Sequence, residues 1–204
     1  RGRARRARGA PHGPLLPMTR PRPPSSGFSL PEMLITVVIL GVIAAIGTDS
    51  LVNLARRERA NSVTTELTGW LDQVSRDASR FNAQAGGALC TVTISTGTVA
   101  VGAQLARIEP AACASQNILT LSDLYANNAS ATITGTPSQF VFTPRGTLST
   151  TTNAALPNGQ VLININVNNE RPLRCIRLVG LIGVLEVGRN NAAATGACTE
   201  WGRV

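Results

Sequence analysis

No lysine occurs in the chain; all 19 basic residues are arginine. A Walker-type phosphate lysine, a Schiff-base enzyme and a Ser–Lys dyad are thereby excluded. Histidine is almost as scarce. The single imidazole is His12, close to the N-terminus, so the body of the chain has none for acid–base work or metal binding. Aromatic residues make up 3%, too few for a base-stacking platform. Ser and Thr are abundant, but no His or Lys is at hand to activate them. These absences argue against a hydrolase, a metalloenzyme or a nucleotide enzyme. No catalytic residue, cofactor or metal site is expected.

Acidic residues are missing from residues 1–27, which hold Arg1, Arg3, Arg5, Arg6, Arg8, Arg20 and Arg22. The net charge of +8 is therefore a property of this leader: setting its seven Arg aside leaves 12 Arg against 11 acids. The body gives little reason to expect a nucleic-acid surface. The chain opens at Arg1 and its first methionine is Met18. The basic, Pro/Gly-rich stretch Arg1–Pro17 reads either as a disordered arm or as sequence upstream of a misplaced start, and the second is favoured. Residues 18–27, MTRPRPPSSG, are Pro-rich and polar and stay extended.

Charge is then absent from Met33 to Thr48, inside an apolar run that extends from Phe28 to Gly47. An ordinary secretory signal places its small-residue cleavage site after the apolar region. Here the small residue, Gly27, comes before it, so a cut at Gly27–Phe28 would keep the run as the new N-terminus. As a helix, Phe28–Thr48 would be about 31 Å long at 1.5 Å per residue, enough to cross a bilayer. Gly41 and Gly47 interrupt it, either for close helix packing or as a bending point. One carboxylate, Glu32, lies at its start. Burying it at membrane depth costs on the order of 2.5–3.5 kcal/mol, so it needs a use. Cleavage after Gly27 would create a cation, the α-amine of Phe28, roughly 6 Å away along the same helix. A neighbouring copy could bring its own amine closer, which would make Glu32 a register or recruitment residue. Ser29-x-x-Glu32 also fits the spacing of a capping box, with Pro31 in the first helical turn.

Gly27-Phe28-Ser29-Leu30-Pro31-Glu32-Met33-Leu34 resembles the prepilin signal of type IV pilins and type II secretion pseudopilins. In that pattern a Gly precedes Phe, and Glu is the fifth residue of the mature chain. The departure is Pro31, where the family usually has an aliphatic residue. The resemblance implies that prepilin peptidase cuts between Gly27 and Phe28, that Phe28 is N-methylated, and that Glu32 serves subunit assembly. It also implies a single-pass protein of the bacterial inner membrane, N-terminus cytoplasmic, that passes into a periplasmic or extracellular filament. The alternative is a plain signal anchor starting near Leu30.

From Asp49 the pattern turns amphipathic. Val63, Leu67, Trp70, Leu71, Val74, Ala78 and Phe81 recur at steps of three and four, one face of an α-helix. Trp70 belongs to that stripe as a core residue. The helix is expected to end near Asn82, before Gly86-Gly87. Arg56, Arg57 and Arg59, just past the apolar run, read as a solvated run that anchors lipid headgroups. Beyond Gly87 the period changes to two. Strands are expected around Val92–Ile94, Val99–Val101, Ile118–Leu121, Thr132–Thr134, Gln139–Thr143, Val161–Val167, Leu173–Val179 and Gly183–Val187. Val161, Ile163, Ile165 and Val167 alternate with Asn164, Asn166 and Asn168, as in a half-buried strand. The expected fold class is α+β: a long N-terminal α-helix, transmembrane then amphipathic, packed on a C-terminal antiparallel β-sheet or β-sandwich. The expected divisions are leader 1–27, membrane or filament-core helix 28–48, amphipathic helix 49–82 and β-rich domain 83–204.

Phe140-Val-Phe142-Thr-Pro144-Arg145-Gly146 and Ile176–Gly183 are similar to the C-terminal domain of the pseudopilin-H/FimT family of minor pilins, with Arg145-Gly146 as a β-turn. This resemblance implies a non-catalytic structural subunit of a type IV pilus or type II secretion pseudopilus. Its partners would be prepilin peptidase, other pilin subunits through the N-terminal helix, and membrane lipid. A DNA-binding minor pilin for transformation is the alternative. FimT-type proteins carry a Gly-Arg-x-Arg motif, and the matching stretch here, Gly183-Val184-Leu185-Glu186, lacks both arginines. Arg174, Arg177 and Arg189 lie nearby and read as scattered, solvated surface.

The cysteines are Cys90, Cys113, Cys175 and Cys198, with no C-x-x-C and no neighbouring His, so zinc is not expected. A domain displayed outside the cytoplasm can hold disulfides. The pairing Cys90–Cys113 with Cys175–Cys198 is favoured among three possibilities, each bridge stabilising by roughly 3 kcal/mol in the chain-entropy model. The second would pin the Asn/Ala/Gly-rich tail Asn190–Ala197 back onto the sheet.

Overall fold

A computed structural model describes residues 27–84, 89–122, 130–143, 147–152, 154–180 and 183–203. The leader with His12, the Gly86-Gly87 pair and the Arg145-Gly146 turn lie outside the described residues. The chain divides into two compact units, with the break at Ala44/Ala45.

In the first unit the helix α1 (Leu30–Gln84) begins two residues after Phe28. Ser29 supplies the opening carbonyl, which accepts from the N–H of Glu32 at 3.0 Å and of Met33 at 3.1 Å. Pro31 in this first turn removes a donor that would have had no helical partner. The apolar residues from Leu30 to Ile43 are exposed around the whole circumference, as no soluble amphipathic helix would leave them. The polar group of Thr36 is satisfied within the helix, its hydroxyl donating to the Met33 carbonyl at 2.8 Å.

In the second unit α1 continues to Gln84, two residues past the expected end, and becomes one-sided. Ala60, Thr64, Leu67, Trp70, Leu71, Val74 and Ala78 are buried at steps of three and four. They pack on two antiparallel sheets. The five-stranded sheet has the order β4 (Ile118–Thr120), β3 (Gln104–Glu109), β1 (Cys90–Ile94), β6 (Gln139–Phe142), β7 (Leu148–Ser149). The six-stranded sheet has the order β11 (Glu200–Arg203), β10 (Val184–Asn190), β9 (Glu170–Val179), β8 (Gln160–Val167), β5 (Ser130–Thr136), β2 (Gly97–Ala100). The long-helix, α+β architecture expected from the sequence is therefore present.

One continuous cluster joins the helix stripe to Val92, Ile94 and Phe140 of the first sheet and to Ile133, Ile163, Ile176 and Leu178 of the second. Burying each large aliphatic or aromatic side chain contributes about 1.5–3 kcal/mol. In the first sheet Val92 pairs with Ile108 on one side and Phe140 on the other, and Phe140 meets Phe142 edge-on at 5.9 Å. Polar contacts add register. The Trp70 indole donates to the Gln116 carbonyl at 2.9 Å, Ser122 donates to Glu66 at 2.8 Å, and Asp77 accepts from the Ser115 N–H and hydroxyl at 3.2 and 3.0 Å. The helix is thus tied to the segment that follows Cys113.

β8 to β11 form a meander. Asn168 and Asn169, at φ 56° each, make the two-residue turn between Val167 and Glu170, the left-handed geometry that asparagine tolerates. Val161, Ile163 and Ile165 face the main core as the alternation predicts. The other face of β8 keeps intermediate exposure at Leu162 and Asn164, as a half-buried strand does, and the C-terminal tail covers part of it, burying Asn166; Asn168 falls beyond the strand, in the turn. Asn164 donates to the Gly196 carbonyl at 3.2 Å and Asn166 to that of Ala194 at 2.8 Å, while the Leu173 N–H bonds the Ala193 carbonyl at 2.9 Å. Leu173, Cys175 and Cys198 form a second small core there, with Leu162 and Trp201 against it.

Candidate functional site

The N-terminal site is built from Gly27, Phe28 and the first turns of α1. Gly27 has no atom within 4 Å of where a side chain would begin, and Phe28 is 70% exposed. The bond between them is thus free of packed neighbours among the described residues. Glu32 is exposed and, among the described residues, has neither an ion pair nor a side-chain hydrogen bond. Among the described residues the reciprocal side-chain pair of a capping box with Ser29 does not form; the Ser29 carbonyl accepts the first hydrogen bonds of the helix. α1 is long and apolar enough to cross a membrane, with a mean hydropathy of 2.3 over its most apolar window and none of that window buried. A carboxylate without a partner at the head of a bare apolar rod can accept a cation from outside the chain.

Both bridges favoured from the sequence are present, Cys90–Cys113 with Cα atoms 5.8 Å apart and Cys175–Cys198 at 6.2 Å. The first joins β1 to the 3-10 turn Ala111–Cys113, and the second fastens the tail to β9. Among the described residues no group of three or more His, Cys, Asp or Glu could hold a metal ion.

Of the three arginines read as solvated surface, Arg189 is exposed as expected, whereas Arg174 and Arg177 are not. Arg177 is half-buried: its Nε and Nη2 donate to Glu186 at 3.0 and 2.5 Å, and its guanidinium stacks 4.1 Å over the Trp201 ring. Arg189 pairs with Glu200 at 2.6 Å. Arg174 is only 6% exposed, and among the described residues it makes no salt bridge, although the Glu58 charge acts on it. It donates instead to neutral oxygens, from Nε to Asn61 at 2.7 Å and from Nη1 to Asn191 and the Leu173 carbonyl at 3.1 Å each. Burial first, and then the charges of Arg189 and Arg57, lower its pKa. Sequence reasoning missed this because Arg174 occupies the core-facing register of β9, opposite Ile165, a placement visible only once the strand pairing is known. Among the basic residues past the apolar run, Arg56 is paired with Glu170 at 2.7 Å, so it is not a free headgroup ligand.

Residues 22–48 match the family described as the prokaryotic N-terminal methylation motif. That segment contains Gly27, Phe28 and Glu32, and it is the prepilin-type signal of type IV pilin-like proteins, which prepilin peptidase processes. No curated protein and no solved structure gives a match.

Proposed function

We propose that the chain is a non-catalytic minor pilin or pseudopilin, a structural subunit of a type IV pilus or a type II secretion pseudopilus. In this reading prepilin peptidase cuts Gly27–Phe28 at the cytoplasmic face of the bacterial inner membrane. The new α-amine of Phe28 is methylated. The apolar part of α1 then leaves lipid for the packed helices of a filament, and the β-rich domain is displayed on its outside or at its tip. Assignment to the pseudopilin-H/FimT branch rests on the resemblance of Phe140–Gly146 and Ile176–Gly183.

The observation that carries this reading is Glu32, unpaired among the described residues, at the head of a bare apolar helix and four residues after a candidate new amine. A buried carboxylate is costly unless paired, so a sister copy that delivers its amine lowers the free energy of assembly at one axial register. The DNA-binding alternative draws no support from the arginines of the meander, since Arg177 and Arg189 are matched by Glu186 and Glu200. The test is sequencing and intact mass of membrane-extracted protein together with a Glu32→Ala variant. An N-terminus at a methylated Phe28, and a variant that inserts in the membrane without entering filaments, are the expected results. A different N-terminus defeats the processing step; normal incorporation of the variant defeats the role of Glu32.

A further inference from the structure

Within the second unit, the C-terminal tail is fastened to β9 on both sides of one buried arginine. On one side the Leu173 N–H donates to the Ala193 carbonyl at 2.9 Å, and on the other Cys175 is bridged to Cys198. Between them Arg174, 6% exposed, holds both the tail and the helix. Its Nη1 donates to Asn191 at the start of the tail and to the Leu173 carbonyl, at 3.1 Å each, and its Nε donates to Asn61 of α1 at 2.7 Å. Asn190 bends the tail: its Oδ1 accepts from the N–H groups of Ala192 and Ala193 at 3.1 and 3.2 Å, and its Nδ2 donates to the Ala197 carbonyl at 3.0 Å. Asn191 is thus placed by the same bend that lays the tail on the sheet. On the helix, Asn61 follows Ala60, the first buried residue of α1 among those described, and before it Leu51, Val52 and Leu54 are exposed.

We propose that the tail is a strap that seats the helix: laid over the meander and fastened by Cys175–Cys198, it places Asn191 so that the Arg174 guanidinium is held against Asn61 and α1 is clamped at its first buried turn. A buried guanidinium that loses an acceptor keeps its charge and its desolvation cost, so each of its bonds depends on the others. With the tail lifted, Arg174 loses Asn191, and the Leu173 peptide loses the Ala193 carbonyl that steadies it. The guanidinium then turns toward water and releases Asn61. The neighbouring tie, Arg56–Glu170 at 2.7 Å, is an exposed ion pair screened by solvent and holds little by itself. Release therefore lengthens the part of the rod that stands free of the domain, from the exposed Leu54 toward the buried Leu67. The coupling is reciprocal, so freeing Asn61 must in turn loosen the tail. The strap does not depend on processing at Phe28 or on entry into a filament, so either proposal can fail alone.

The test is amide hydrogen exchange of the full chain in uncharged detergent micelles. The Val92 amide, in a central strand of the other sheet, serves as the reference for global stability. Asn191→Ala, with both bridges intact, is expected to speed exchange at the α1 amides of residues 61–65 about ten-fold relative to that reference, the worth of one hydrogen bond to a charged group. Replacing Cys175 and Cys198 together by Ser should do the same and also release the Leu173 amide. Asn61→Ala should speed exchange at Ala192 and Ala193 in the tail. If the cysteine variant fails to fold, the two asparagine variants carry the test. Tail amides that open while residues 61–65 keep their parent rates overturn the strap and leave the bridge as a local staple. A rise no larger at residues 61–65 than at Val92 reports general loosening and overturns it too, as does Asn61→Ala with an unmoved tail.

Discussion

At Gly188 any other residue would place a carbon 2.8 Å from the Cβ of Cys198 and from two ring atoms of Trp201. The strand register sets Gly188 directly opposite Trp201, so the indole lies across the space a side chain would fill. Gly188→Ala is expected to cost about 1–3 kcal/mol through this overpacking, seen as a lower urea midpoint with an unchanged slope. Asp77 makes a different residue-scale contribution. Its bonds to Ser115, backbone first and then hydroxyl, lower its pKa from 3.8. A depressed carboxylate stabilises fully above its unfolded value, and that contribution is lost as pH falls through the lower folded value. Stability should therefore decline below about pH 4, and Asp77→Asn should flatten the decline in acid-unfolding curves. Neither feature was legible in the sequence. Gly188 reads as an ordinary strand glycine until the tail is placed on it, and Ser115 lies too far from Asp77 in sequence for a local motif to join them.

The elements were legible where one periodicity governed them. The stripe Leu67, Trp70, Leu71, Val74, Ala78 is the buried face of α1, and Val161, Ile163, Ile165 is the core face of β8. Leu71→Ala is expected to cost about 2–5 kcal/mol, measured by denaturant titration, because its side chain is wholly buried in that shared cluster. Elements without a clean period were missed. β3 buries the adjacent Leu105 and Ala106 at a register shift, β7 is two residues long, and β11 carries Glu, Gly and Arg around its one Trp. The asparagines of β8 marked the half-buried face, but the sequence did not show that they donate to backbone carbonyls of the tail. Replacing Cys175 and Cys198 together by Ser should lose roughly 3 kcal/mol. It should also raise hydrogen exchange at the Leu173 amide, whose acceptor is the tail carbonyl of Ala193.

For the whole molecule, the two units answer to different solvents. Residues from Leu30 to Ile43 expose their apolar side chains, whereas the second unit, from Ala60 onward, buries most of its own around a bridged, two-sheet core. Ile39→Arg is accordingly expected to weaken membrane insertion by about 2.5–3.5 kcal/mol, measured by fractionation between membrane and soluble pools, while leaving both disulfides formed. The candidate processing site was the most legible part of the chain, because Gly27, Phe28 and Glu32 are contiguous enough to read as a motif. The tie between Arg174 and Asn61 was not, because it joins strand and helix 113 positions apart. The tail that seals the meander also imposes an order of events during synthesis. Cys198 and Trp201 are the last of the sealing residues to leave the ribosome, after every strand from β1 to β10. Until they arrive and the thiols are oxidised, β8 and β9 present Leu162, Leu173 and Cys175 uncovered. A nascent chain stalled or clipped before Ala197 would thus offer a sticky sheet to proteases and chaperones, a checkpoint that admits only finished copies.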